Sequence, residues 1–209
     1  ELAIADLYLS VGWTSENLPH VRPVGNFRVP SKTRIVVNDP KGGLLVCCGN
    51  MPQYPFDIRS MALGPQTKKN FEDIFALVDM LDERIKNKVL VRLHPSDAGW
   101  HARTRWLDKH PSTKFDNSGE SISHVMQSQR LFIGTYRATS YINSLTTNTP
   151  TIIFWDPLFW EAASDTLPYF KELQRVGIFH ENPDSAAKKI SEIWDDIPSW
   201  WLSNEVQMV

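Results

Sequence analysis

The sequence predicts an α/β chain built on a Rossmann-like, doubly wound parallel sheet. Three observations carry that expectation. Short, continuous apolar runs recur at GLLVCC (residues 43–48), KVLVRL (88–93), LFIG (131–134) and TIIF (151–154). Such runs suit parallel strands covered on both faces. Segments of helical periodicity separate them, and from Gly43 onward strand and helix alternate, the pattern of a doubly wound sheet. Turn residues punctuate the ends of the runs, with Gly49-Asn50, His94-Pro95 and Asp156-Pro157 after three of them.

The elements follow in order. Residues 7–11 read as a short strand, and residues 18–40, with several prolines, as an extended segment. The expected division is 1–40 as an extended interdomain linker and 41–209 as one Rossmann-like domain. Residues 43–48 form the first core strand. Residues 67–86 are a helix with Phe71, Ile74, Phe75, Val78, Leu81 and Ile85 on one broad face. A strand follows from residue 88, and Pro95 stops it. Residues 98–109 are a helix, 113–116 a short strand, and 122–129 a helix capped by Ser121. After the strand 131–134 come a helix over 139–146 and the strand 151–154. Residues 158–175 read as helical, 178–179 as a last short strand, and 184–194 as a terminal helix with Pro183 before it.

Composition bounds the function. The chain has 209 residues, 42% hydrophobic and 22% charged, with a net charge of −2. That is enough for one domain with a sizeable core, and no basic surplus points to nucleic acid. Cys47 and Cys48 are the only cysteines. Neighbours on a strand face opposite ways, so these two read as core thiols of a reducing compartment. No apolar run is long enough to span a bilayer, which suggests a cytoplasmic protein or one peripheral at the inner membrane. The opening ELAIADLYLSVGW reads as the interior of a longer protein. The eight tryptophans are too dispersed for one platform and read as core or domain-interface residues.

The candidate site is a set of strand ends. In an open α/β sheet the ligand crevice lies outside the carboxyl ends of the strands. The turn Thr135-Tyr136-Arg137-Ala138-Thr139-Ser140 meets a helix amino end, where free N–H groups and the helix dipole favour an anion. Thr139 and Ser140 add hydroxyls and Arg137 a fixed charge. The alternative is that Thr139 or Ser140 simply caps the helix. Arg92, His94 and Pro95 end another strand. His94 suits phosphate binding or acid–base work, or else a hydrogen-bonded place in a loop. Gly49 and Asn50 permit close backbone approach at the first strand end. Trp155, Asp156, Trp160 and Glu161 combine aromatic rings and carboxylates, as ribose or sugar sites do. The alternative there is that Asp156 caps a helix and Trp160 packs an interface. His94, Asp156 and Glu161 are the candidates for a catalytic role. No P-loop, dinucleotide fingerprint or metal-ligand spacing is present.

The segments VRLHPSDAGW, SQRLFIGTYRATSYINSLTTNTPTIIFWDP, FWEAASDTLPYFKELQRVGIFH and PDSAAKKISEIWDD closely resemble a family of transferases from bacterial O-antigen and surface-polysaccharide loci. The match runs from about Leu7 to Trp201 and corresponds to the carboxyl-terminal portion of those proteins. More distantly, His94-Pro95 and Thr139-Ser140 are similar to motifs of GT-B enzymes with CMP- or CDP-linked donors. Those are the Kdo and sialic acid transferases and the CDP-glycerol glycerophosphotransferases. The resemblance implies a GT-B carboxyl-terminal half whose paired motifs hold nucleotide phosphates. It implies a nucleotide-sugar as substrate, no cofactor or metal, a glycan acceptor, and an amino-terminal Rossmann-like partner domain. The turn at 135–140 departs from the acidic turn of the glycerophosphotransferases. A CDP-glycerol-type phosphotransferase and a non-catalytic nucleotide-sugar-binding module are the alternatives.

Overall fold

A computed structural model describes residues 4–25, 40–54 and 61–209. The chain divides into two compact units, Glu1–Ile35 and Val36–Val209. In the first, strands β1 (Tyr8–Ser10) and β2 (Val21–Pro23) pair in parallel. The Tyr8 amide donates to the His20 carbonyl at 3.1 Å and Val24 to Ser10 at 3.0 Å. Most of the extended segment expected at 18–40 lies outside the described residues.

The second unit holds a six-stranded sheet. Its strands are β3 (Leu44–Cys47), β4 (Val89–Arg92), β5 (Lys114–Phe115), β6 (Leu131–Gly134), β7 (Thr151–Phe154) and β8 (Phe179–His180). The order is β5-β4-β3-β6-β7-β8, and every pair is parallel. The sheet grows outward from β3 in one direction and then from β6 in the other. That is the doubly wound arrangement, with its reversal point between β3 and β6.

Why these runs form central strands is visible in their burial. Leu44, Leu45 and Val46 are fully buried, as are Leu131, Phe132 and Ile133. Side chains alternate across the sheet. Leu44, Val46 and Cys48 enter a large core with helices α1 (Pro65–Met80) and α7 (Pro183–Ile193), which pack on each other. Leu45, Cys47 and Phe132 enter a smaller core with Val125 and Met126 of α4 (Ile122–Gln127) and Tyr141 of α5 (Thr139–Thr146). Cys47 and Cys48 thus lie on opposite faces, and both are free thiols. Burial pushes the Cys47 thiol up to about 11 and Cys48 higher still.

Three expected helices change length for identifiable reasons. The helix expected over 67–86 is broken, because Leu81 is extended and Asp82 caps a new turn, α2 (Glu83–Lys86), by accepting from the Ile85 amide. The helix expected from 98 begins only at Ala102 (α3, Ala102–Lys109), since Ala98, Gly99 and His101 are left-handed, with φ of 50°, 89° and 52°. The helix expected from 158 begins at Leu167 (α6, Leu167–Arg175), with Pro168 in its first turn, where the missing N–H costs nothing. Two short helices, α8 (Ile197–Trp201) and α9 (Asn204–Gln207), extend the chain beyond the expected last helix. Their tryptophans fasten them down. Trp200 Nε1 donates to the Val176 carbonyl at 2.9 Å and Trp201 Nε1 to the Asn148 carbonyl at 3.0 Å.

Gly42-Gly43 precedes β3 because the backbone there is crowded. A Cβ on Gly43 would stand 2.1 Å from the Lys88 carbonyl oxygen, and one on Gly42 would stand 2.6 Å from that of Ser128. Gly43→Ala is therefore expected to lower unfolding free energy by about 1–3 kcal/mol or more through overpacking against backbone. Urea unfolding checks this, and an unchanged midpoint would show that β3 and β4 can separate at no cost.

Candidate functional site

The reversal between β3 and β6 sets the site. Chains leave these two strands toward opposite sides, so their carboxyl ends open a crevice between them. Three turns meet there: Cys48 to Met51 after β3, Leu93 to Pro95 after β4, and Thr135 to Ala138 after β6. Cys47 pairs with Arg92 on one side and Gly134 on the other, so the three turns start level.

A cleft of about 530 Å³ lies over the β3, β4 and β5 ends. Gly49, Asn50, Arg92, His94 and Pro95 all line it. Arg92 is occupied: its guanidinium pairs with Asp116 and donates to the Glu120 carbonyl at 2.8 Å. The Asp116 side chain is 5% exposed. Burial works against its charge, but Ser118 and Arg92 hold its carboxyl below the usual range. The pair binds the end of β4 to the end of β5. His94 is exposed, and its Nδ1 meets the Ser96 amide at 3.1 Å and Asn50 Nδ2 at 3.2 Å. Among the described residues its Nε2 has no partner.

Across the reversal point, the turn 135–140 is built for two tasks. Thr135 is structural: its amide and its hydroxyl both donate to the Cys47 carbonyl, at 3.3 and 2.9 Å. Tyr136 lies on Gly49, whose Cβ would stand 2.8 Å from its ring. Glycine at 49 therefore makes room for this ring, which also meets Trp160 at 6.3 Å between centroids. Arg137 turns outward and donates to the Glu161 carbonyl. Ala138 is the N-cap of α5 and offers no side-chain cap. Neither Thr139 nor Ser140 caps the helix, so its first N–H groups are open. Ser140 is 7% exposed, beside the Cys47 thiol and the Tyr136 hydroxyl. Its Oγ is buried and acts electrostatically on both groups, although neither contact has full hydrogen-bond geometry.

The neighbouring helix is closed. Asp97 accepts from the His101 amide at 2.7 Å and the Ala102 amide at 2.8 Å. Those bonds, against an opposing desolvation, hold its carboxyl below the usual range. An anion approaching this edge meets its own charge at α3 and free donors at α5.

The third expected cluster lies apart. Trp155 is core, 2% exposed, with its ring 5.0 Å from Phe179 and 5.5 Å from Tyr141. Asp156 Oδ1 accepts from the Leu158 amide at 2.9 Å and turns the chain. Trp160 is buried with Nε1 unpaired, and Glu161 is exposed. Trp155, Trp160 and Glu161 line a second, smaller cleft of about 280 Å³ over β7 and β8, with Lys171 and Glu181. The structure thus gathers Gly49, Asn50, Arg92, His94 and Pro95 in one cleft, and Trp155, Trp160 and Glu161 in another. The 135–140 turn joins the two sets through Tyr136 on Gly49 and Arg137 on Glu161. Sequence reasoning missed Asp97, Trp100, His101, Arg103 and Asp116, which also line the larger cleft. The aspartates carried a signal, since each precedes a turn or helix whose N–H groups need an acceptor.

The whole chain, residues 1–209, matches the family described as LIC12162 family transferase. It belongs to that family. No curated protein matches it. Among the described residues of this LIC12162 family member, no helix is long and apolar enough to cross a membrane. The family assigns a transferase role.

Asp116→Asn is expected to destabilise the chain by about 1–3 kcal/mol at pH 7, because it leaves Arg92 partly buried and unpaired. The pH dependence has a defined sign. A carboxyl whose folded pKa is depressed stabilises above its unfolded value and loses that contribution as pH falls through the folded one. Between pH 5 and 3 the parent protein should therefore lose stability more steeply than Asp116→Asn in urea titrations. Parallel curves would contradict the pairing.

Proposed function

We propose that the chain is the donor-binding half of a GT-B glycosyltransferase, moving a sugar from a CMP- or CDP-linked donor onto a bacterial surface glycan. The observation that carries this reading is the amino end of α5, which no side chain caps, beside the β3/β6 reversal point. Donor phosphates would sit on the Thr139 and Ser140 amides and the exposed Thr139 hydroxyl, with His94 reaching them from the β4 side. The nucleoside would occupy the 530 Å³ cleft. The sugar would lie toward Asp156, Trp160 and Glu161.

The chemistry follows from charge. As the bond from sugar to phosphate breaks, negative charge collects on the leaving nucleotide. Fixed N–H and hydroxyl donors stabilise that charge without reorganising, so the reading needs no metal. Asp156, Glu161 and His94 remain the candidates for proton transfer. The acceptor glycan would approach from a second Rossmann-like domain across the cleft.

Calorimetric titration with CMP, CDP and UDP tests the reading. Binding of the cytidine nucleotides is expected, weakened by about 1.5–3 kcal/mol in His94→Ala and in Thr139→Ala. The melting temperature of Thr139→Ala should hold, because its side chain is exposed. Absence of heat and of thermal shift at millimolar concentration with all three nucleotides would contradict nucleotide-donor use.

A further inference from the structure

We infer that Asn50 is a positioning residue for His94, reinforcing the neutral tautomer that carries its proton on Nε2. The inference deepens the reading above and rests on it for the ligand, though not for the tautomer.

The argument begins at Nδ1. Pro95 has a fixed φ and no N–H of its own, and the chain turns back so that the next amide, Ser96, reaches the ring at 3.1 Å. A backbone N–H is a donor in any assignment of side-chain atoms. It requires a lone pair on His94 Nδ1. The Asn50 amide, from the end of the neighbouring strand β3, supplies a second donor to the same atom at 3.2 Å. One acceptor competes for a proton there, the Ser96 carbonyl at 3.3 Å. Two donors against one longer acceptor place the proton of the neutral ring on Nε2.

Among the described residues, the charged side chains near this loop are engaged elsewhere. Arg92 is held by Asp116 and Glu120. Asp97 is held by the α3 amides and stands 3.9 Å from His101. Arg103 donates to Asn117 at 2.6 Å and lies over the Phe115 ring. Asn50 is therefore, among the described residues, the side chain that reinforces the tautomer the Ser96 amide favours. An Nε2–H donates to a phosphate oxygen, whereas a bare Nε2 would repel it. The β3 turn thus contributes to the site through β4's histidine.

Long-range ¹H–¹⁵N correlation spectra of the free protein, at a pH where His94 is neutral, read the tautomer directly. The expected result is a protonated Nε2 in the parent protein and a shift to protonated Nδ1 in Asn50→Asp, whose carboxylate accepts where the amide donated. A protonated Nδ1 in the parent, or an unchanged tautomer in Asn50→Asp, would overturn the inference. Asn50→Ala adds no charge, and it should weaken CDP binding several-fold, up to about tenfold. Unchanged affinity would also overturn it. If the parent protein binds none of CMP, CDP and UDP, the donor reading falls, and the spectra still decide the role of Asn50.

Discussion

Four residues, Leu44 to Cys47, pair with β4 on one side and β6 on the other, and everything at the site is measured from them. Because β3 and β6 lead in opposite directions, their carboxyl ends cannot be covered by the same crossover. The sheet must leave a gap there. The fold fills part of that gap with Tyr136 lying on Gly49 and stitches its floor with Thr135 on the Cys47 carbonyl. Glycine at 49 and threonine at 135 are consequences of the pairing. Were β3 displaced by one residue, its side chains would exchange faces and the turn at 49–51 would no longer meet that at 135–138.

Charge at this edge is sorted into what the protein keeps and what it leaves open. Arg92 and Asp116 neutralise each other, and Asp97 satisfies the amides of α3. Arg137 is drawn to the Glu161 carbonyl. What remains, among the described residues, is a helix end without a side-chain cap, the exposed Thr139 hydroxyl and a histidine with one nitrogen free. These are donors, and they lie on both sides of the reversal point. An anionic ligand spanning it would meet donors from β4 and β6 together, which suits the phosphate bridge of an activated donor.

Much of this was legible from sequence because its signals are local. Runs such as LLVC and TIIF declare buried strands, and their alternation with helices declares the sheet class. Single-residue devices were harder to see. Leu81-Asp82 divides a periodic helix with one extended residue and one cap, and Pro168 delays α6 by its missing N–H. The left-handed Ala98 carries no signal, since alanine does not favour that backbone conformation. The site was legible as a set of strand ends, and its partition was not. Arg92 reads as a phosphate ligand until Asp116, 24 residues later, is placed beside it by the β4–β5 pairing. Trp155 reads as a sugar platform until its burial between Tyr141 and Phe179 is known.

The account turns on where an anion lands at this edge. Backbone amide shifts followed on titration with CDP, and separately with pyrophosphate, measure that most directly. The account predicts the largest changes at Thr139, Ser140 and Tyr141, with the amides of His101 and Ala102 unmoved behind Asp97. Changes centred on His101 and Ala102, with the first turn of α5 silent, would contradict it.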